Sequence, residues 1–245
     1  MDPAWYQPLA ISDGERTSTW AWGSFELALE ASGAVTVLRL CRDGEPSDPL
    51  RFLSREGRDR MLTARTADRS VVARPAMPLV VNADGHAVIY VSSPLWVGVA
   101  ESGAPPFVEF PVTEPKQTWL GATPQAGELV YATRTQARMD LDNLDIAPGR
   151  VVTQVELVNR LPEPWPIERI VVPLPHLALY QCEHSGSAPL WTSSVRIERT
   201  SDAEVDAHVA AGPPGEAGRT TRIAEPRRPS IPRLSLLALG RWAWS

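Results

Sequence analysis

The chain has 245 residues, of which 43% are hydrophobic, and its formal net charge is −5. This composition is typical of a globular protein, and the acidic balance argues against nucleic-acid binding, which needs basic charge along one face. The two cysteines are fewer than small disulfide-built secreted domains carry. The N-terminus lacks the basic and apolar regions of a signal peptide, and no apolar run reaches the roughly 20 residues of a membrane helix. We therefore expect a soluble, cytoplasmic protein that does not span a membrane.

Residues 1–69 are predicted to form an N-terminal hairpin and a charged connection that pack on the main domain. Alternating apolar and polar residues predict one strand over 24–30 and a second over 34–42. Residues 43–69 are the most charged part of the chain and lack a sustained apolar stripe. We expect a solvated connection there; an anion-binding patch formed by the arginines of residues 51–65 is the alternative.

The chain is predicted to be an all-β, antiparallel β-sandwich of about a dozen short strands with little helix, and residues 70–211 are predicted to form its core. Short runs rich in Val, Ile, Tyr and Trp alternate there with Pro and Gly. Asn82–Gly85 predicts a hairpin turn, and the alternation over 151–159 predicts a strong strand. The intervals between strands are too short for crossover helices, which disfavours a parallel βαβ architecture.

Residues 212–245 are predicted to form a linker and an apolar C-terminal tail. Pro and Gly are dense over residues 212–233, which is typical of a flexible or extended segment. The chain ends in the apolar run LSLLALGRWAWS. We expect this tail to dock on its own domain, and docking on a partner is the alternative.

The sequence contains no complete catalytic, cofactor or metal-binding motif. Neither GxSxG nor a Walker A loop occurs, and Ser185-Gly186-Ser187 beside His184 does not make a nucleophile, which needs a base across space. His176, Cys182 and His184 recur at even positions, but zinc needs three or four ligands. We predict no catalytic residue, no metal and no cofactor. The sequence favours a non-enzymatic protein without excluding an enzyme.

Nine tryptophans are many for a chain of this length. Four of them lie near predicted strand starts or loops and are the candidate binding residues: Trp96, Trp119, Trp165 and Trp191. Exposed aromatic side chains on a β-sandwich stack on sugars or anchor a protein partner. Packing in the core and at its rim is the alternative interpretation of all four.

Several segments resemble, in their order, the DUF432 family, whose function is unassigned. They are ARPAMP (73–78), VIYVSSPLWVGVA (88–100), KQTWLGATPQAGELVYATRT (116–135), VTQVELVNR (152–160), IVVPLPHLALY (170–180) and LWTSSVRIE (190–198). The closest similarity is Trp119-Leu120-Gly121 followed by the turn to Gly127. The resemblance covers residues 70–200 and implies no catalytic residue.

Relatives of this family are sometimes encoded near small mechanosensitive channels, so the resemblance implies a membrane protein as a partner. We predict a non-enzymatic protein that binds a protein partner, as an accessory or regulatory factor of a membrane protein such as a mechanosensitive channel. The alternative is a carbohydrate-binding module or a glycoside-acting enzyme. Such an enzyme needs two facing carboxylates about 5–10 Å apart, for which Glu109, Glu114 and Glu128 are available. The sequence does not determine the oligomeric state.

Overall fold

A computed structural model describes ten stretches of the chain. They are residues 8–9, 17–32, 35–53, 60–101, 103–123, 126–133, 135–183, 189–201, 205–229 and 233–235. Within them lie 23 strands, three short 3-10 turns and no α-helix. The 3-10 turns span Leu141–Asn143, Leu174–His176 and Gly215–Ala217.

The strands follow one another at short intervals along the chain. They are β1 (Pro8–Leu9), β2 (Thr17–Trp22), β3 (Phe25–Ser32), β4 (Val35–Arg42), β5 (Glu45–Pro46), β6 (Leu50–Leu53), β7 (Arg60–Arg65), β8 (Val71–Ala73), β9 (Leu79–Val81), β10 (His86–Pro94), β11 (Trp96–Glu101), β12 (Val108–Pro111), β13 (Lys116–Thr123), β14 (Ala126–Ala132), β15 (Arg150–Asn159), β16 (Trp165–Ile167), β17 (Ile170–Val172), β18 (Leu179–Cys182), β19 (Leu190–Thr192), β20 (Val195–Arg199), β21 (Val205–Val209), β22 (Thr220–Ala224) and β23 (Arg233–Ser235).

The prediction of an all-β protein with little helix is confirmed. The strands outnumber the dozen expected because several have only two to four residues, too few for an alternating pattern to be recognised. Most ladders are antiparallel, but β8 pairs in parallel with β14, and β19 and β20 both pair in parallel with β15.

The chain divides into two compact units. Unit 1 comprises Met1–Arg65, Leu95–Thr113 and Ala147–Gly149. Unit 2 comprises Thr66–Pro94, Glu114–Ile146 and Arg150–Ser245. Each unit is assembled from segments that are distant in sequence, so its core depends on long-range strand pairing. The division predicted at residues 69/70 and 211/212 stays a prediction.

Unit 1 contains two sheets, one in the order β1-β7-β11-β12 and one in the order β2-β3-β4-β5 with β6 also on β4. The predicted N-terminal hairpin is confirmed by the β3–β4 ladder, which runs from Phe25 opposite Arg42 to Ser32 opposite Val35. Residues 60–65 form β7, although their charge predicted a solvated connection. Two buried apolar side chains alternate with partly exposed ones along this strand, which pairs with β11.

Unit 2 contains three sheets. The largest has eight strands in the order β22-β18-β19-β15-β20-β21-β23, with β10 also on β15. The second has the order β13-β14-β8-β17, and β16 pairs with β9 in the third. Strand β15, which the sequence predicted strongly, is central to the largest sheet: it pairs with β10, β19 and β20, and nearly all its residues are buried.

The predicted turn at Asn82–Gly85 is present, but its flanking strands do not form a hairpin with each other. Asp84 has a φ of 49°, and the Gly85 N–H donates to the Asn82 carbonyl oxygen at 3.1 Å. Strand β9 before the turn pairs with β16, and β10 after it pairs with β15. The conformation of a turn depends on its own residues, whereas the strand with which each flanking strand pairs depends on contacts with distant segments.

Residues 212–229, for which a flexible or extended segment is predicted, include an extended strand and pack within unit 2. Strand β22 pairs with β18, and Ala217 lies in a buried hydrophobic cluster. Arg227 Nε donates to the Thr66 carbonyl oxygen at 2.6 Å. Pro and Gly content does not indicate such contacts, because their partners are far away in the sequence. Residues 236–245, most of the apolar tail, lie outside the described residues.

Candidate functional site

The four candidate tryptophans lie in different environments. Trp96 is 5% exposed and belongs to unit 1, whereas the other three belong to unit 2. Trp191 is 2% exposed and packs edge-on against Tyr90, with ring centroids 6.4 Å apart. Trp165 is partly buried, and Trp119 is 45% exposed. Trp119 is therefore the most accessible of the four, and ligand binding by these residues stays a prediction.

The indole of Trp119 lies over a glycine of the neighbouring strand. A Cβ at Gly127 would be 2.6 Å from Trp119 Nε1, 2.6 Å from the Leu120 carbonyl oxygen and 2.8 Å from Gly121 Cα. Strands β13 and β14 can therefore approach this closely only because position 127 carries no side chain. Leu129 is the cross-strand partner of Trp119 and is also exposed, so the hairpin presents an apolar pair.

Replacement of Gly127 by alanine is expected to lower the free energy of unfolding by about 2 kcal/mol, because the new methyl group meets backbone atoms that cannot move aside. Gly212→Ala is the matched control, since nothing lies within 4 Å of a Cβ there. Urea unfolding of both variants measures the difference. Equal midpoints for the two variants would contradict the close approach at Gly127.

A pocket of about 310 Å³ lies beside Trp119 in unit 2, near the lower limit of volumes that hold small ligands. Val72, Leu120 and Ala132 supply its apolar surface. Its polar lining consists of Arg74, Thr118, Thr133, Thr135, Gln136 and Arg169. The lining thus contains two arginines, three threonines and one glutamine, and it contains no acidic residue.

Strand register places the two pocket arginines opposite each other. Strand β8 pairs with β17 so that Ala73 is opposite Ile170 and Val72 is opposite Val171. The next position in this antiparallel register puts Arg74 opposite Arg169, just beyond the end of each strand. Both arginines are exposed. Like charges at directly opposed positions destabilise a pair of strands.

A buried arginine holds two of the lining threonines in place. Arg150 is 8% exposed, and its Nη2 donates to Thr133 Oγ1 and Thr135 Oγ1, each at 3.0 Å. Nη2 also donates to the Ser92 carbonyl oxygen, and Nε donates to Ser92 Oγ, both at 2.6 Å. Since Ser92 is on β10 and Thr133 follows β14, this network joins two sheets of unit 2 and orients the pocket hydroxyls.

Tyr131 and Cys182 have raised pKa values and lie outside the pocket lining. Burial, followed by a 2.9 Å hydrogen bond to Asp68 and the charge of that carboxylate, raises the pKa of Tyr131 to about 12. Burial also raises the pKa of the Cys182 thiol, which donates to the Ala217 carbonyl oxygen at 3.3 Å. Both groups are therefore protonated at neutral pH, the form in which neither is a good nucleophile.

The carboxylates available for a glycoside-acting enzyme do not line the pocket. Glu109 belongs to unit 1 and forms an ion pair with Arg65 at 3.2 Å. Glu114 and Glu128 belong to unit 2 and are exposed. His184 and Ser185–Ser187 lie outside the described residues.

Within the described residues, no three His, Cys, Asp or Glu side chains are grouped so that they could hold a metal ion. Nowhere in that part of the chain does a helix reach the length and hydrophobicity that crossing a membrane requires.

Unit 1 presents an exposed apolar strand, which we call the β6 edge and define as Leu50–Leu53 with the adjacent Val35 and Phe107. Strand β6 pairs with β4 on one side, and no described strand pairs with its other side. Leu53 is 87% exposed and lies opposite Val35, which is also exposed. The rings of Phe52 and Phe107 are in contact, with centroids 4.9 Å apart.

Comparison with known proteins gives one match. A family model described as "Protein of unknown function (DUF432)" matches residues 5–238. The chain belongs to the DUF432 family. The match extends well beyond residues 70–200, where the resemblance was recognised, so the N-terminal strands of this DUF432 chain are part of the family pattern too. No curated protein and no solved structure matches the sequence.

Sequence reasoning did not single out the arginines that line and support the pocket of this DUF432 chain. Arg74 lies in one of the segments that carry the family resemblance, but 23 arginines offer no local signal for choosing among them. The β6 edge was also missed, because Phe52 and Leu53 lie in a highly charged segment. A run of three apolar residues in four, Leu50 to Leu53, is the signal that could have indicated this strand.

Proposed function

We propose that this DUF432 chain is a non-enzymatic binding protein that docks an extended segment of a protein partner on the β6 edge. The observation that carries the proposal is that a strand with exposed apolar side chains has no strand paired along its outer side among the described residues. Proteins usually protect such an edge with charges, prolines or a covering element. Strand β6 carries one such charge, Arg51, but its other three residues are apolar, and an edge of this kind is a site at which a partner strand can extend a sheet.

Main-chain hydrogen bonds would supply part of the affinity. Strand β6 is antiparallel to β4, with Leu38 opposite Leu50 and Val35 opposite Leu53. In an antiparallel ladder, alternate residues direct their N–H and C=O groups away from the existing partner. Those groups of β6 are available to a strand added on the outer side, whatever its sequence.

Side chains of β6 would supply the specificity. Successive residues of a strand point to opposite faces, so Leu50 and Phe52 share one face, while Arg51 and Leu53 share the other. The face with Leu53 also includes Val35. A partner segment with alternating apolar residues would bury Leu53, and an acidic residue in that segment would complement Arg51, which is exposed.

The class of partner follows from the family resemblance. Since relatives are sometimes encoded near small mechanosensitive channels, we propose that the chain acts in the cytoplasm as an accessory or regulatory factor of a membrane protein of that kind. The partner segment would then belong to a part of the membrane protein that is accessible from the cytoplasm.

Substitution of Leu53 by aspartate is expected to abolish docking without affecting folding. The carboxylate would lose its hydration where the partner places an apolar side chain, and we expect Kd to rise at least about tenfold. The partner is captured from native-host membranes with the tagged full-length chain, identified, purified and titrated against both proteins. Met77→Asp changes another highly exposed hydrophobic residue, in unit 2, and should bind as the wild type does.

Two results would overturn the proposed docking mode. In the first, the purified partner binds the wild-type chain and Leu53→Asp with the same Kd. In the second, the chain forms a concentration-dependent dimer by light scattering and Leu53→Asp makes it monomeric. That outcome would assign the β6 edge to a second copy of the chain.

Carbohydrate binding is the second candidate function. The observation that favours it is the exposed Trp119 beside a pocket whose polar side chains can bond to hydroxyl groups. If the chain binds carbohydrate, a sugar should raise its unfolding temperature, and Trp119→Ala should remove that rise. If no sugar changes the unfolding temperature, this second candidate is excluded.

A further inference from the structure

We infer that the pocket beside Trp119 binds a small dianionic molecule, a phosphate monoester or a dicarboxylate, through Arg74 and Arg169. This inference goes beyond the proposed function, because it concerns a different unit and a ligand of a different class. It rests on the register of two strands, on the charge of the pocket lining and on the size of the pocket.

The register makes the two arginines unfavourable neighbours when the pocket is empty. The ladder of β8 with β17 ends at Ala73 opposite Ile170, and Arg74 and Arg169 are the next residues of the two chain segments. Ion pairs and side-chain hydrogen bonds of the described residues involve neither guanidinium, although eight other ion pairs occur there. Two unneutralised cations at opposed positions repel each other. An anion placed between them would convert this repulsion into two attractive interactions.

The lining has the composition of an anion site. It carries two positive charges and no negative one, in a chain whose net charge is −5. A guanidinium offers a planar pair of donors that matches two oxygens of a carboxylate or phosphate. Thr118 and Gln136 add a hydroxyl and an amide donor to the same lining. A ligand with two negative charges would neutralise both arginines.

Arg150 fixes two threonine side chains of the pocket lining. Its guanidinium donates to Thr133 Oγ1 and Thr135 Oγ1 at 3.0 Å, and both hydroxyls donate to the Ser92 carbonyl oxygen, so those side chains cannot turn freely when a ligand enters. Preorganised polar groups reduce the entropy that binding costs. Arg150 is therefore a positioning residue, whereas Arg74 and Arg169 would contact the ligand directly.

The volume of the pocket limits the ligand to a small molecule. About 310 Å³ is near the lower end of the range for ligand pockets. A phosphate monoester of a short carbon chain or a four-carbon dicarboxylate satisfies this limit together with the charge. Val72 and Leu120 would contact the carbon skeleton between or beside the anionic groups.

The test is a thermal-shift and calorimetric titration of the full chain, at low ionic strength, with sodium phosphate, glycerol 3-phosphate, succinate and glucose. We expect a saturable rise in the unfolding temperature with at least one of the three anions and no change with glucose. Glycerol 3-phosphate and succinate distinguish the phosphate from the dicarboxylate class. Added sodium chloride should weaken binding, because it screens the charges.

Arg74→Gln and Arg169→Gln are each expected to raise Kd for the bound anion at least about tenfold, and the double variant should not bind it. Arg222→Gln is the matched control: it removes the same charge from an exposed arginine outside the pocket lining of unit 2.

In anion-free buffer, Arg74→Gln should also unfold at a higher temperature than the wild type, because the repulsion between the two arginines is gone.

Three outcomes would overturn the inference. They are the absence of binding by all three anions, anion binding by the double variant with the wild-type Kd, and an unfolding temperature that glucose raises as much as the anions do. The last result would instead support carbohydrate binding. None of the three bears on the β6 edge, which lies in unit 1.

Discussion

Replacing Arg150 with methionine is expected to lower the free energy of unfolding by about 4 kcal/mol. The guanidinium is buried and makes four hydrogen bonds, two to Ser92 and one each to Thr133 and Thr135. Hydrogen bonds to a charged group contribute about 1.5–3 kcal/mol each, but the expected loss is smaller than their sum because methionine, unlike the guanidinium, carries no charge whose burial costs free energy. Ser92 Oγ would lose its charged donor in a buried site.

Equilibrium urea unfolding of Arg150→Met, beside Arg222→Met as the exposed control, measures this effect. Arg222 lies on β22 and pairs with Glu225 at the surface, so we expect a change below about 0.5 kcal/mol there. Arg150→Met should also weaken anion binding in the pocket, since Thr133 and Thr135 lose one of the two groups that orient them and keep only the Ser92 carbonyl oxygen. If Arg150→Met and Arg222→Met unfold at the same urea concentration, the hydrogen bonds of Arg150 do not stabilise the contact between the two sheets.

Replacing Gly149 with alanine is expected to have an effect of similar size, about 4 kcal/mol. Gly149 has a φ of 78°, and a Cβ there would overlap Val112 Cγ1. Its carbonyl oxygen accepts from the Leu95 N–H at 2.9 Å, and Leu95 in turn accepts from the Val112 N–H at 2.8 Å. The chain segment is thus held on both sides, and neither Gly149 nor Val112 can move away without loss of these bonds.

A second glycine allows the cost of the positive φ to be separated from the cost of the overlap with Val112. Gly103 has nearly the same φ, 77°, but nothing lies within 4 Å of a Cβ built on it. Gly103→Ala should therefore show only the backbone cost, about 1–2 kcal/mol, and the remainder in Gly149→Ala should come from Val112. Adding Val112→Ala to Gly149→Ala should restore part of the lost stability in a double-mutant cycle. An additive cycle would contradict the steric origin of the effect.

The sequence by itself determined the elements whose pattern is local. Period-two alternation correctly indicated β15 and the β3–β4 hairpin. The order of several segments was enough to recognise the DUF432 family. An alternating pattern indicates a strand without long-range information because successive side chains of a strand point to opposite faces, although packing buries nearly all of β15.

Tertiary structure decided which strands are neighbours and which side chains are covered. Local patterns are the same for a buried and an exposed tryptophan at a strand start, so only packing distinguishes Trp191 from Trp119. Arg74 and Arg169 are 95 positions apart and become opposed because β8 pairs with β17. Burial and strand pairing arise from contacts between distant segments, and both the pocket and the β6 edge are products of those contacts.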